Sequence, residues 1–126
     1  MSRFRKPEVV RLELTQGDWI LIHSRLNLGQ QRKVQARSAK RVFAGEAVEV
    51  DLEKAGISNT AEYLIDWSFT DHAGQPVVIR DQPADVVMQI LSNLDPEDYN
   101  EIADAIAQHE KALAQEKKHP VTASVS

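Results

Sequence analysis

Cysteine is absent from this 126-residue chain. That excludes disulfides, thiolate metal sites and thiol nucleophiles, and it removes the usual marker of redox compartment. Aromatic residues make up only 6% of the chain, and none interleaves with the cations as a stacking platform for nucleic acid would. No apolar run approaches the roughly 20 residues that span a bilayer. Residues 1–7 are basic, but no apolar stretch follows, so no secretory signal is expected. The five glycines are scattered. No glycine-rich phosphate loop, G-x-S-x-G elbow or S-x-x-K pair is present. His23, His72, His109 and His119 do not fall in a ligand spacing, and the acids of 95–104 lack the order of a calcium loop. These absences lead to the expectation of a protein that is not an enzyme and uses no metal or cofactor.

What is present suits one soluble domain. Apolar residues are 42% and charged residues 27%, a globular balance. The charge is uneven along the chain. Residues 1–41 hold ten Lys/Arg against three Asp/Glu, whereas 42–126 hold five against sixteen. Such asymmetry fits an anionic partner for the first part or head-to-tail contact between copies, and it fits equally well two halves that neutralise each other in one fold.

The expected fold is α+β, an N-terminal β-hairpin packed against a mainly α-helical domain with a long C-terminal helix. Residues 1–118 form the single domain and 119–126 a flexible tail. Val10, Leu12 and Leu14 alternate with polar neighbours, the period of a strand. After Gln16-Gly17, the run Trp19-Ile20-Leu21-Ile22-His23 reads as the return strand. A two-residue turn there sets Leu14 opposite Trp19 and Leu12 opposite Leu21. Residues 27–44 read as a helix capped by Asn27 and stopped at Gly45. Its apolar arc is Leu28, Ala36, Ala39, Val42 and Phe43, and Val34 falls outside that arc. A short strand fits 47–50, with Gly56 as punctuation. Residues 60–69 read as a helix capped by Thr60, with Ala61, Leu64, Ile65 and Ser68 on one face. Thr70-Asp71-His72-Ala73-Gly74 is turn chemistry. Pro83 opens a helix burying Val86, Val87, Ile90, Leu91 and Leu94, with Asp81 and Asp85 near its start as capping acids. Asp95 then caps and Pro96 begins a helix to about residue 118.

Two surfaces are candidates for function. Lys33, Arg37, Lys40 and Arg41 share an arc of the 27–44 helix, which suits self-association or an anion; a solvated helix face is the simpler reading. Tyr99, Ile102, Ile106, His109 and Leu113 make one stripe on the last helix, which suits docking a partner helix or, more simply, docking on the chain's own hairpin. His109 is expected at a core edge, and His72 beside Asp71 in a solvated turn. Trp19 and Trp67 are expected in the core, one of them partly exposed.

Three stretches carry a family resemblance. They are Leu14-Thr15-Gln16-Gly17-Asp18-Trp19-Ile20 with Leu26 and Gly29-Gln30-Gln31-Arg32; Tyr63-Leu64-Ile65-Asp66-Trp67-Ser68 with Asp71-His72-Ala73-Gly74-Gln75-Pro76; and Leu94-Asp95-Pro96 with Ala105-Ile106-Ala107-Gln108-His109-Glu110. Together they resemble the tail assembly chaperones of siphophages and prophages over about residues 8–118. The resemblance implies a non-enzymatic role in tail morphogenesis. Its partners would be the tape-measure protein and tail-tube subunits, with self-association along the rod, in the cytoplasm of the bacterial host. It also implies a longer form made by frameshifting, with Glu116-Lys117-Lys118 as the place where an A-rich slip site would fall. The alternatives are a structural head-tail connector or tail terminator, or a small DNA-binding regulator using the basic helix 27–44. Nucleic acid is the weaker partner because the domain is acidic overall, and no membrane partner is expected.

Overall fold

A computed structural model describes residues 8–41, 48–50 and 52–118, with side chains described for 8–37 and 56–115. The chain is α+β, as its patterning implies. Strands β1 (Val9–Glu13) and β2 (Trp19–His23) form the hairpin. Helix α1 (Leu28–Ser38) follows, then β3 (Ala39–Arg41), β4 (Val48–Val50) and helix α2 (Leu52–Tyr63). Strand β5 (Leu64–Trp67), helix α3 (Ala84–Ser92) and the 23-residue helix α4 (Pro96–Lys118) complete it. One antiparallel sheet has the order β1-β2-β5, and β3 pairs with β4 in a second.

The hairpin is displaced by one residue from the expected register. Leu12 faces Ile20, Val10 faces Ile22 and Glu13 faces Trp19. The connection is a three-residue 3-10 turn, Thr15–Gly17, closed by Leu14 N–H donating to Asp18 O at 2.8 Å. Gln16 (φ 61°) and Gly17 (φ 79°) both take positive φ, which glycine accepts freely and a longer side chain tolerates less well. A one-residue slip moves every side chain of a strand to the other face. Here it puts Val10, Leu12, Ile20 and Ile22 together, and Ile20 and Ile22 are fully buried. The expected register would have set Trp19 and Leu21 inward and left those two isoleucines in water. Burial therefore selected the loop.

Residues 64–69 are not helical. Helix α2 ends at Tyr63 and the chain turns into β5 against β2. Thr60 lies inside α2, not at its start, and its hydroxyl donates to Gly56 O at 3.0 Å. Gly56 is likewise within the helix. Strand β5 carries a bulge: Leu64 faces Ile22 and Asp66 faces Leu21, with Ile65 extra between them. Leu64 and Trp67 are three apart and on a regular strand would point to opposite faces. The bulge lets both enter the core, where they are 7% and 5% exposed. Apolar residues three apart imitate helical spacing, which is why the segment reads as a helix.

The 27–44 helix is also shorter than expected. It ends at Ser38, so Ala39, Lys40 and Arg41 lie on strand β3. Val42, Phe43 and Gly45 fall outside the described residues, as does the 119–126 tail. Asn27 does cap α1, and reciprocally: its Oδ1 accepts from Gln30 N–H while its own N–H donates to Gln30 Oε1, both at 2.9 Å. The buried side is the opposite of the one expected. Leu28 is 62% exposed and Ala36 is exposed, whereas Val34 packs on the core.

Other elements match the sequence reading. Asp71 Oδ1 accepts from Ala73 and Gln75 N–H and shapes the 71–75 turn, with His72 exposed in it. Helix α3 buries Val87 and Leu91, and Met88, Ile90 and Leu94 pack at the core edge; Val86, expected on the buried side, is half-buried and lies outside the core cluster. Pro83, however, holds its N-cap position with no side-chain cap bond, so neither Asp81 nor Asp85 caps it. Helix α4 starts where expected, with Tyr99 N–H donating to Asp95 O at 3.0 Å. The core joins Ile20, Ile22, Leu64 and Trp67 of the sheet to Ala61 and Tyr63 of α2, Val87 and Leu91 of α3, and Ile102 and Ile106 of α4. Trp67 Nε1 donates to Val77 O at 2.7 Å, and its ring stacks on Phe69 at 4.8 Å. Trp19 is half-buried on the outer sheet face beneath the Arg11 guanidinium, 4.9 Å from the ring centre.

Candidate functional site

Helix α2 is the element around which both candidate surfaces are built. Ser58 and Glu62 lie one turn apart on the side that meets α1. Gly56 and Thr60 lie on the side that meets α4, about 160° round a helix that turns 100° per residue. On the first side, Arg37 Nε donates to Ser58 Oγ (2.9 Å), and its Nη2 donates to Glu62 Oε1 (2.7 Å) and Ser58 O (3.3 Å). Ser58 Oγ in turn donates to Val34 O at 3.4 Å. The Arg37 and Glu62 side chains are 22% and 14% exposed, so solvent screens this pair only partly. On the second side, the Thr60 and Tyr99 hydroxyls are 3.3 Å apart.

The expected cationic arc is therefore divided. Arg37 points inward and is neutralised by Glu62. Lys33 stays exposed and, among the described residues, makes no ion pair. Lys40 and Arg41 belong to strand β3 and do not extend the helical face. Among the described residues, the four cations do not share one helix face.

The α4 stripe is committed to the chain's own core. Ile102 and Ile106 are 0% and 2% exposed. Tyr99 bonds to α2, and His109 Nε2 lies 2.9 Å from Ser24 O, a hydrogen bond for which that nitrogen carries the proton. Tyr99, His109 and Leu113 remain half-buried. Ile102 and Ile106 are thus taken up by the chain's own core, and the rest of the stripe stays at its edge.

A cleft of about 460 Å³ opens beside α1, where Lys33 and His23 face Arg80 and Asp81 above a floor that includes Leu64 and Val87. Asp81 is in the left-handed region at φ 63°, a conformation uncommon for residues other than glycine. Arg80 pairs with Asp66 at 3.2 Å. With Arg37 and Arg80 each held by a carboxylate, the cleft is nearly neutral and offers one free lysine. Among the described residues no group of His, Asp and Glu is arranged to hold a metal ion, and no helix is long and apolar enough to cross a membrane.

Sequence reasoning missed three polar partners that matter here. Glu62 and Ser58 hold Arg37 from about twenty residues away. Glu101 holds the hairpin loop by accepting from Thr15 N–H (2.8 Å) and Thr15 Oγ1 (3.1 Å). Nothing local in the chain announces any of them.

The charge separation survives as a spatial one. Residues 25–37 carry four cations and no acid; residues 81–115 carry eight acids and one lysine. The first set lies on and beside α1 and the second on and beside α3 and α4; α2 packs against all three helices, and Lys33 and Asp81 line the same cleft.

No family model matches the chain, and neither a curated protein nor a solved structure matches it.

Proposed function

We propose that this chain is a non-enzymatic assembly chaperone of phage tail type, which associates with copies of itself along an elongated helical client, the tape-measure protein, until tail-tube subunits enclose it. The observation that carries the reading is the segregation of charge between helices, four cations in 25–37 at α1 against eight acids in 81–115 at α3 and α4. A basic side on one copy meets the acidic side of the next in a heterologous contact that propagates rather than closes. Such a contact suits the coating of a rod whose apolar helical stripes would otherwise aggregate. The resemblance noted in the sequence supports the same reading. Its three stretches fall on the hairpin loop and the α1 cap, on β5 and the 71–75 turn, and on the start and middle of α4. With Ile102 and Ile106 spent on the core, client docking uses the half-buried flank of α4 at Tyr99, His109 and Leu113 or the basic side.

The test is co-expression of the chain with the longest helical protein encoded beside it, with mass spectrometry for a longer product sharing this N-terminus. The chaperone reading expects the neighbour to be soluble only with the chain present, and a slip site near Lys117. An insoluble neighbour in both cases, with no longer product, overturns it. Recovery of the chain as a closed ring in finished particles would instead identify a connector or terminator.

A further inference from the structure

Among the described residues, strand β1 is an edge of its sheet. It pairs with β2, and among the described residues no strand lies along its other side. Two bonds settle which backbone groups point outward. Ser24 N–H donates to Glu8 O at 2.9 Å, and Leu14 N–H donates to Asp18 O at 2.8 Å. Hydrogen-bonded pairs in an antiparallel ladder alternate. Residues 8, 10, 12 and 14 therefore bond toward β2, and the N–H and C=O of Val9, Arg11 and Glu13 face away. Natural sheets blunt such an edge with a short strand, a bulge, a proline, an inward-pointing charge or charged side chains along it. Between Val9 and Glu13 the pairing with β2 is regular, with no bulge, proline or inward charge; the five-residue strand does carry two charges, Arg11 and Glu13, but they are of opposite sign and so can pair across a two-fold.

We propose that β1 pairs antiparallel with β1 of a second copy of this chain, about a two-fold axis at Leu12, joining two three-stranded sheets into one of six. The side chains select the register. Centring the pair on Arg11 sets that arginine against itself, and centring it on Val10 sets Arg11 against Val9. Centring it on Leu12 sets Arg11 against Glu13 of the copy, and symmetry repeats the pairing. These are hydrogen-bonded positions with the outward backbone groups in phase. In the same register the core side sets Leu12 against Leu12 and Val10 against Leu14, all half-buried at the sheet margin. Both faces are then self-complementary, as an isologous contact requires. The Arg11–Glu13 pair within one strand, at 2.8 Å with side chains 54% and 66% exposed, is free to exchange partners. This contact closes at two copies and does not depend on the chaperone reading. It leaves the basic and acidic sides available for propagation.

The test uses amide exchange of the full chain by NMR in dilute and concentrated solution, with sedimentation equilibrium on the same samples. The Arg11 and Glu13 amides should gain protection as concentration rises, while those of Val10 and Leu12, already bonded to β2, change little. Head-to-tail association alone would leave the Arg11 and Glu13 amides unprotected. R11E and E13R should each weaken the dimer about tenfold, and the double swap should restore it. Both positions lie on the exposed outer face, so the monomer's melting temperature checks that the variants fold. A chain that stays monomeric at about 1 mM, or a dimer with freely exchanging Arg11 and Glu13 amides, or single variants that dimerise like the parent, overturns the proposal.

Discussion

Helices α1 and α4 both read as amphipathic in the sequence, yet only α4 buries the side that its apolar residues mark. Its stripe contains two isoleucines buried in the core, and enough apolar area to set its orientation at about 25 cal/mol per Å² buried. Helix α1 has a single core-facing apolar residue, Val34, and is oriented by a guanidinium. Arg37 reaches Ser58 and Glu62 on α2, and Leu28 is left in water. Where apolar area is large, periodicity finds the buried face. Where it is small, a polar network decides, and its partners lie far away in the chain.

That contrast can be tested by substitution, starting with the largest effect. Ile106→Ala on α4 should cost about 2–5 kcal/mol, because the truncation leaves a cavity in a filled site; urea titration reads it as a lower midpoint at an unchanged slope. A loss under about 1 kcal/mol would mean that α4 docks less tightly than its burial indicates. On α1, Arg37→Ala should cost about 2 kcal/mol, since it leaves Glu62 partly buried without its cation and Ser58 without a donor. The same measurement on Lys33→Ala should show less than about 0.5 kcal/mol, and equal losses at the two positions would refute the inward placement of Arg37.

Asn27→Ala removes one half of the capping box and should cost about 1 kcal/mol. Gln30→Ala should produce part of the same loss, and the double variant should fall short of the sum, because the two side chains act on the same helix end. Leu28→Ala should have the smallest effect, within about 0.5 kcal/mol. It sharpens the comparison because the expected apolar arc would have made Leu28 a core residue; a thermal melt that shifted by several degrees would restore that arc.

The legible parts of the fold share a physical feature: their signal is local. The Asn27–Gln30 box, the Asp71 turn and the Asp95-Pro96 start are each written within a few residues, because the groups they satisfy are backbone N–H groups close by in the chain. The illegible parts depend on distant partners. The hairpin register is not legible locally because Gln16-Gly17 permits more than one loop, and only burial of Ile20 and Ile22 chooses between them. Segment 64–67 reads as a helix because a bulge replaces the period of a strand by a spacing of three. Of the candidate site, the charge imbalance and the α4 stripe were readable, but not their disposition. Helical spacing groups Arg37 with Lys33 on one face and leaves Ile102 and Ile106 equally suited to a partner or to the chain's own core; the fold turns Arg37 inward and buries the isoleucines.

By itself the sequence determined an α+β chain with an N-terminal hairpin, a capped helix after it, a long closing helix beginning at Pro96, and an uneven division of charge. Those follow from periodicity, caps and composition, which act over a few residues or over the whole chain. Only the tertiary structure decided the hairpin register, the bulge that turns Leu64 and Trp67 inward together, the end of α1 at Ser38, and the turning of Arg37 onto Ser58 and Glu62 of α2. Each of these is a choice among locally equivalent conformations. It is settled by which one buries the most apolar surface while leaving every buried polar side-chain atom among the described residues with a partner.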